Sequence, residues 1–115
     1  MAQRSRYTPS GRAQASRRAD ARGKLPVNSV APAITGTATE GETLSLSTGT
    51  WSNTPDAYAR IWKRDGVVIS GATGATYVLT ENDVGAVISG SVKATNLGVS
   101  AVANSNVTDE VAAAE

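Results

Sequence analysis

The chain has 115 residues, the length of one domain, and its basic residues outnumber its acidic residues by only one. It contains no Cys and no His, which excludes disulfides, thiolate metal sites and the side chain most often used as a general base. No apolar run is long enough to cross a membrane, and no apolar segment near Met1 indicates a secretory signal.

Residues 1–24 form a basic arm that is almost free of hydrophobic side chains. They contain seven Arg or Lys residues and one Asp, a net charge of +6, whereas residues 31–115 contain four basic and nine acidic residues, a net charge of −5. A basic arm ahead of an acidic body is typical of a chain that binds a partner. We therefore predict that the cations of the arm make the partner contacts: Arg4, Arg6, Arg12, Arg17, Arg18, Arg22 and Lys24.

The composition divides the chain into three segments. Pro26 and Pro32 favour extended backbone in the stretch LPVNSVAP, which we interpret as a linker. We assign residues 1–30 to the arm and linker, residues 31–108 to a β-sandwich and residues 109–115 to a short acidic tail.

The first half of the predicted sandwich shows the alternation of β-strands. In ETLSLST, Leu44 and Leu46 share one face, and AYARIWKR alternates in the same way around Trp62. Asp65-Gly66 then separates AYARIWKR from VVI. This dipeptide is a strong signal for a tight hairpin, because a type I′ turn needs positive φ at both positions.

The second half continues with short strands and turns. SGATGAT is a Gly-rich loop, TYVLT a strand, and residues 80–83 (TEND) resemble a capping box that predicts one helical turn. AVISGSVKAT, a turn at residues 96–98 and VSAVANSNVT complete the pattern. About seven short strands with regular turn signals indicate an all-β antiparallel sandwich, and a Trp buried in the third strand fits an immunoglobulin-like core.

A family resemblance agrees with this pattern. The blocks GTW, WKRDG, ISGATGATYVLT, DVG and ATN occur in this order, and they resemble the running pattern of bacterial and bacteriophage immunoglobulin-like domains over about residues 30–108. The resemblance implies that Trp62 packs in the core and that residues 83–85 form a turn between sheets. Such domains occur as repeats in bacterial surface proteins, at the tips of phage tail proteins and in phage capsid decoration proteins.

Two positions depart from the family pattern. Arg60 stands where an aromatic residue is usual, and Gly90 stands where a β-branched residue is usual. We predict that they lie on neighbouring strands and that the aliphatic stem of Arg60 fills the room left by Gly90.

The residues offer little for catalysis. General acid–base chemistry needs carboxyl groups whose pKa values are driven apart by burial or by neighbouring groups. Three carboxylate pairs occur, in predicted turns and termini where water screens them: Glu40 and Glu42, Glu81 and Asp83, and Asp109 and Glu110. The stretch from Glu81 to Asp83 offers oxygen ligands for Ca²⁺ but matches no metal-loop spacing. We therefore predict a protein that is not an enzyme and has no cofactor and no metal.

Two further features are candidate contact sites. Trp51 could stack on a sugar at a sheet end, and core packing of the kind usual in the family is the alternative interpretation. Residues 63–66 form a charged hairpin tip that either touches a partner or only keeps the turn soluble.

The resemblance and the arm together predict a structural virion protein of the capsid decoration type. The arm would dock on the major capsid protein or another virion protein, in many copies per particle, with the immunoglobulin-like domain on the capsid exterior and in weak contact with cell-surface glycans. The chain would be made in the host cytoplasm without a signal peptide, and no membrane contact is expected. The alternatives are a nucleic-acid-binding protein that uses the arm, a carbohydrate-binding adhesion module of a phage tail or bacterial surface, and an arm that only solubilises the body.

Overall fold

The computed structural model of the chain describes residues 24–115, and most of the predicted arm cations lie outside this range: Arg4, Arg6, Arg12, Arg17, Arg18 and Arg22. Within the described range the regular structure consists of nine β-strands and one 3₁₀ turn. The all-β class is therefore confirmed. No helix between residues 24 and 115 is long and apolar enough to cross a membrane.

The strands are short except for β5, β8 and β9. Their bounds are β1 (Val27–Val30), β2 (Ile34–Thr35), β3 (Thr43–Leu46), β4 (Thr50–Ser52), β5 (Ala57–Arg64), β6 (Val67–Val68), β7 (Thr76–Val78), β8 (Ile88–Asn96) and β9 (Val99–Asn104), with the 3₁₀ turn at Glu81–Asp83.

These strands form three sheets in which every neighbouring pair is antiparallel. β1 pairs with β4, and the two larger sheets have the orders β2-β3-β7 and β6-β5-β8-β9. The buried core takes side chains from both larger sheets, including Leu44 and Leu46 of β3, Trp62 of β5 and Val92 of β8. The fold is therefore β-sandwich-like, with its core between the two larger sheets.

The alternation of side chains on β5 and β8 decides which residues enter the core. The two strands pair without interruption from Ala57 opposite Thr95 to Arg64 opposite Ile88. Every second residue of β8 points inward, and Ile88, Val92 and Ala94 are each 0% exposed. This is the face that the sequence alternation predicts.

Two local predictions are confirmed. Asp65 and Gly66 have φ values of 50° and 82° between β5 and β6, as a type I′ hairpin turn requires. Residues 81–83 form the expected helical turn, and the Asp83 carboxylate accepts a hydrogen bond from the Thr80 N–H at 2.8 Å.

Two stretches outside the predicted sandwich boundaries also join the fold. Residues 27–30, predicted as linker, form β1 and pair with β4. Val111, within the segment predicted as an acidic tail, is 2% exposed and forms a parallel bridge with Val84. The neighbouring residue Ala112 forms a second parallel bridge with Thr39, so residues 111 and 112 close one end of the sandwich.

The predicted packing of Arg60 over Gly90 is wrong, although the two residues do lie on paired strands. Arg60 stands opposite Val92, and its Nε donates to the Leu46 carbonyl at 2.9 Å. The room above Gly90 is filled by Leu46, because a Cβ built on Gly90 would lie 2.7 Å from the Leu46 Cδ2 atom. Gly90 therefore allows a β3 side chain, and not its own sheet neighbour, to approach the β8 backbone.

We expect Gly90→Val to lower the free energy of unfolding by about 2 kcal/mol, because Leu46 is buried and cannot move aside without strain. Leu46→Ala alone is expected to cost about 3 kcal/mol through the cavity it leaves. The double variant should cost less than the sum, since the new side chain enters the vacated space. Urea unfolding of the three variants measures this coupling, and strictly additive losses would contradict it.

Candidate partner-binding site

The base of the arm is held by two asparagine side chains. Lys24, the one predicted arm cation in the described range, is exposed, and its carbonyl accepts a hydrogen bond from Asn96 Nδ2 at 2.9 Å. The next carbonyl, that of Leu25, accepts one from Asn53 Nδ2 at 2.9 Å, and Asn96 Nδ2 also donates to the Asn53 carbonyl at 2.7 Å. Pro26 then enters the protein interior. The arm therefore starts from a defined point, beside the end of β8.

The acidic side chains are concentrated at the other end of β8. The parallel bridges of residues 111 and 112 join three segments there, namely residues 38–42, 79–86 and 109–115. We call this end of the sandwich the acidic pole, and its partly or fully exposed carboxylates are Glu40, Glu42, Glu81, Asp109, Glu110 and Glu115. β5 and β8 run from the base of the arm to this pole. The base of the arm and the acidic pole therefore lie at opposite ends of these strands.

One acid at this pole, Asp83, is fully buried. Its side chain is 0% exposed, and it accepts hydrogen bonds from Arg64 Nε at 2.6 Å, the Tyr77 hydroxyl at 2.9 Å and the Thr80 N–H at 2.8 Å. The Thr80 hydroxyl lies 3.2 Å from the same carboxylate. The prediction that the Glu81 and Asp83 carboxylates are both solvated is therefore wrong for Asp83.

The contacts of Asp83 stabilise its ionised form. Burial by itself would raise the pKa of Asp83, but the hydrogen bonds from Thr80, Arg64 and Tyr77, with the charge of Arg64, hold this pKa below its ordinary value. Burial and the hydrogen bond to Asp83 raise the pKa of Tyr77. The hydrogen bonds of Asp83 connect β5, β7 and the 3₁₀ turn. A carboxylate that accepts this many hydrogen bonds stabilises the fold and is not available to accept a proton from a substrate.

The sequence pattern places Arg64 in the charged hairpin tip, but in the structure its guanidinium contacts Asp83. Its side chain points inward to Asp83, whereas the adjacent Lys63 lies on the opposite face of β5. The sequence carried a usable signal, because Arg64 lies two residues after Trp62 and so shares its inner face. A cation on the inner face of a strand needs an acceptor within the fold, and for Arg64 the buried carboxylate of Asp83 is that acceptor.

The hydrogen bonds of Asp83 also affect the candidate Ca²⁺ ligands at residues 81–83. The Asp83 carboxylate is already occupied by protein donors, whereas Glu81 and Asn82 are exposed. Within residues 24–115 no three acidic, His or Cys side chains are grouped so that they could hold a metal ion.

Trp51 on β4 is half-buried and packs against the core cluster. Its indole N–H donates to the Thr48 carbonyl at 2.7 Å, so the ring's only polar group is engaged within the chain. A sugar would have to use the remaining exposed ring surface.

A shallow cavity of about 330 Å³ lies along the Gly-rich loop between β6 and β7. Its lining includes the hydroxyl-bearing residues Ser70, Thr73 and Thr76 and one aromatic residue, Tyr77. Among residues 24–115 no charged side chain lines this cavity, and the Tyr77 hydroxyl is already bonded to Asp83. The cavity therefore lacks the converging polar groups that fix a ligand's orientation.

Comparison with known proteins adds no identification. No model of a protein family matches the chain, and no curated protein is significantly similar to it in sequence.

Proposed function

We propose that this chain is a capsid decoration protein whose basic arm binds an acidic protein lattice and whose sandwich is displayed outward. The observation that carries the proposal is the charge polarity: the arm has a net charge of +6 and is attached to the sandwich at the end away from the acidic pole. An acidic surface that attracts the arm repels the acidic pole, so the molecule is oriented with its pole outward.

The strand order supports an immunoglobulin-like assignment of the sandwich. The two sheets β2-β3-β7 and β6-β5-β8-β9 correspond to the orders A-B-E and C′-C-F-G of an immunoglobulin-like domain. Trp62 on β5, the equivalent of strand C, is fully buried, as the Trp of such domains is. The outward module is then an immunoglobulin-like domain of the kind that the sequence blocks resemble.

The composition of the arm suits binding along an extended acidic groove. Six of its seven cations are Arg, whose planar guanidinium makes paired hydrogen bonds to carboxylates. Ordering an extended arm costs conformational entropy for each residue. A lattice that presents many equivalent sites offsets this cost, because neighbouring copies raise the effective concentration of binding partners.

The test replaces the six arginines of residues 1–23 with glutamine in the full chain and measures co-sedimentation with capsids of the phage that encodes it. We expect the affinity to fall by about 100-fold, since each lost Arg removes a charge-assisted contact. The matched control replaces the same six residues with lysine, and it should lose about 10-fold, because the charge remains but the paired geometry does not. Full occupancy by the glutamine variant would refute the proposal.

A gel shift with duplex DNA at physiological salt separates this proposal from nucleic-acid binding. We expect no stable complex, because the body is acidic and only Tyr7 is placed among the cations to stack on bases. A sharp, salt-sensitive shift together with no capsid binding would favour the nucleic-acid function instead.

A further inference from the structure

The edge strand β9 is the longest edge in the described part of the fold. It has six residues, and within residues 24–115 it is paired with β8 on one side only. The opposite edge of the same sheet, β6, has two residues, and the edges of the β2-β3-β7 sheet have two and three. β9 is therefore the edge with the most backbone available for pairing.

The antiparallel ladder shows which backbone groups of β9 are available. The Ser105 N–H donates to the Gly90 carbonyl at 2.8 Å, so residues 99, 101 and 103 bond to β8 and residues 100, 102 and 104 direct their N–H and C=O groups away from it. Within residues 24–115 no hydrogen bond reaches these outward groups of Ser100, Val102 and Asn104.

This edge lacks the features that normally prevent pairing with another chain. Soluble proteins protect edge strands with charged side chains, Pro, bulges or short length. Residues 94–108 contain no charged residue and no Pro, and β9 pairs with β8 without a bulge. Val102 in its centre is 63% exposed. By contrast, β6 is preceded by Lys63, Arg64 and Asp65, with only Gly66 between them and the strand.

We propose that β9 pairs antiparallel with β9 of a second copy of this chain, about a two-fold axis at Val102. In this register Val102 stands opposite its counterpart, and Ser100 stands opposite Asn104 of the other copy. All the outward backbone groups of the strand then become partners, giving about six hydrogen bonds. The two four-stranded sheets join into one continuous sheet.

The charges near β9 permit pairing with a second copy. Lys93 stands opposite Val102 on β8, so the two copies of Lys93 would be separated by three strand spacings, or about 14 Å. That separation exceeds the Debye length at physiological salt, and their repulsion is largely screened. If the partner were a charged edge strand, its charges would find no opposite charge on β9. If the partner is a second copy of β9, neither strand brings a charge into the contact.

The dimer is weak because the contact is one pair of short strands. Interfaces at the small end of the range are transient, and we expect a Kd on the order of 10 µM. The β9 pairing uses no residue of the arm. The dimer is therefore independent of the proposed binding of the arm to a capsid.

Sedimentation equilibrium of the full chain, with concentration as the variable, tests the dimer. We expect the wild type and Val102→Thr to dimerise alike, and Val102→Pro to stay monomeric, because proline removes an outward N–H that the fold itself does not use. A wild-type chain that is still monomeric at about 0.5 mM overturns the proposal, and so does a dimer that Val102→Pro leaves unchanged.

Two further measurements keep the test decisive if Val102→Pro fails to fold. Because the chain has no Cys, Val102→Cys should form an intermolecular disulfide under mild oxidation, while Val67→Cys on the opposite edge, 68% exposed, should not. Equal cross-linking of the two variants contradicts the assigned edge. Amide exchange at residues 100, 102 and 104 should slow as concentration rises. Protection that is already present in the monomer would mean that residues 1–23 cover the edge, which also overturns the proposal.

Discussion

Trp62→Ala is expected to lower the free energy of unfolding by about 4 to 5 kcal/mol, which is most of the total stability of a domain at the lower end of the usual range. Trp62 is 0% exposed in the centre of the core, and its ring stacks on Tyr77 with the ring centroids 5.6 Å apart. Its indole N–H donates to the Gly74 carbonyl at 2.8 Å, which attaches the Gly-rich loop to β5. The substitution therefore leaves a large cavity and an unpaired carbonyl.

The conservative variant Trp62→Phe separates these two effects. It keeps most of the aromatic volume and the contact with Tyr77, but it cannot donate to Gly74, so we expect a smaller loss of about 2 kcal/mol. Urea unfolding followed by circular dichroism measures both variants. If the alanine and phenylalanine variants were equally stable, the core would not be organised around this side chain.

Asp83→Asn is expected to lower the free energy of unfolding at pH 7 by about 2 to 3 kcal/mol. The amide turns one acceptor oxygen into a donor, which then faces Arg64, Tyr77 or Thr80. This expected loss of stability is smaller than the loss on breaking a fully buried ion pair, because the Arg64 side chain is 33% exposed and water can solvate it. Glu81→Gln, an exposed change two residues away, is the matched control and should change stability by less than about 0.5 kcal/mol.

The difference in stability between the wild type and Asp83→Asn should depend on pH, and the direction follows from the lowered pKa of Asp83. The folded pKa of Asp83 lies below its unfolded value, so the ionised carboxylate contributes its full stability above the unfolded pKa, which is about 4. That contribution is lost as the pH falls through the lower folded pKa. The gap between the wild type and Asp83→Asn should be constant from about pH 5 to 7 and narrow below about pH 4. A gap that stays constant down to about pH 2.5 would show that Asp83 is not bound as the anion.

The elements predictable from the sequence are those that depend on near neighbours. The alternation around Leu44 and Leu46, the Asp65-Gly66 turn and the capping box at Thr80 each need only a few consecutive residues, and each is confirmed. In these stretches the local preference and the global fold agree, so the sequence pattern was sufficient.

The features missed depend on partners that are distant in sequence. β1 lies between two prolines and is a strand because it pairs with β4, whose Trp51 stands opposite Asn28. Asp83 is buried because β5 brings Arg64 to it, nineteen positions away. Leu46 fills the space above Gly90 from the other sheet. Long-range pairing of this kind leaves no mark in the local pattern of hydrophobic residues.

The candidate site was predictable in part. Composition alone singles out the basic arm as the candidate, and its role in partner binding stays a prediction; Lys24, the last of its cations, is exposed. The attachment of the arm by Asn53 and Asn96 was not predictable, because both residues were assigned only to turns or to no role. Side-chain amides that bond to a distant backbone have no spacing signature.

The burial of Val111 means that one core side chain is synthesised only after all nine strands. Ribosomes make the chain from the N-terminus, so the arm and β1 to β9 emerge while the place of Val111 beside Val84 is still empty. Until Val111 and Ala112 leave the exit tunnel, their bridges to Val84 and Thr39 cannot form, and the core lacks the Val111 side chain. Of the carboxylates of the acidic pole, only Glu40, Glu42 and Glu81 precede this segment by many residues, so at that stage only their like charges oppose contacts between two open chains.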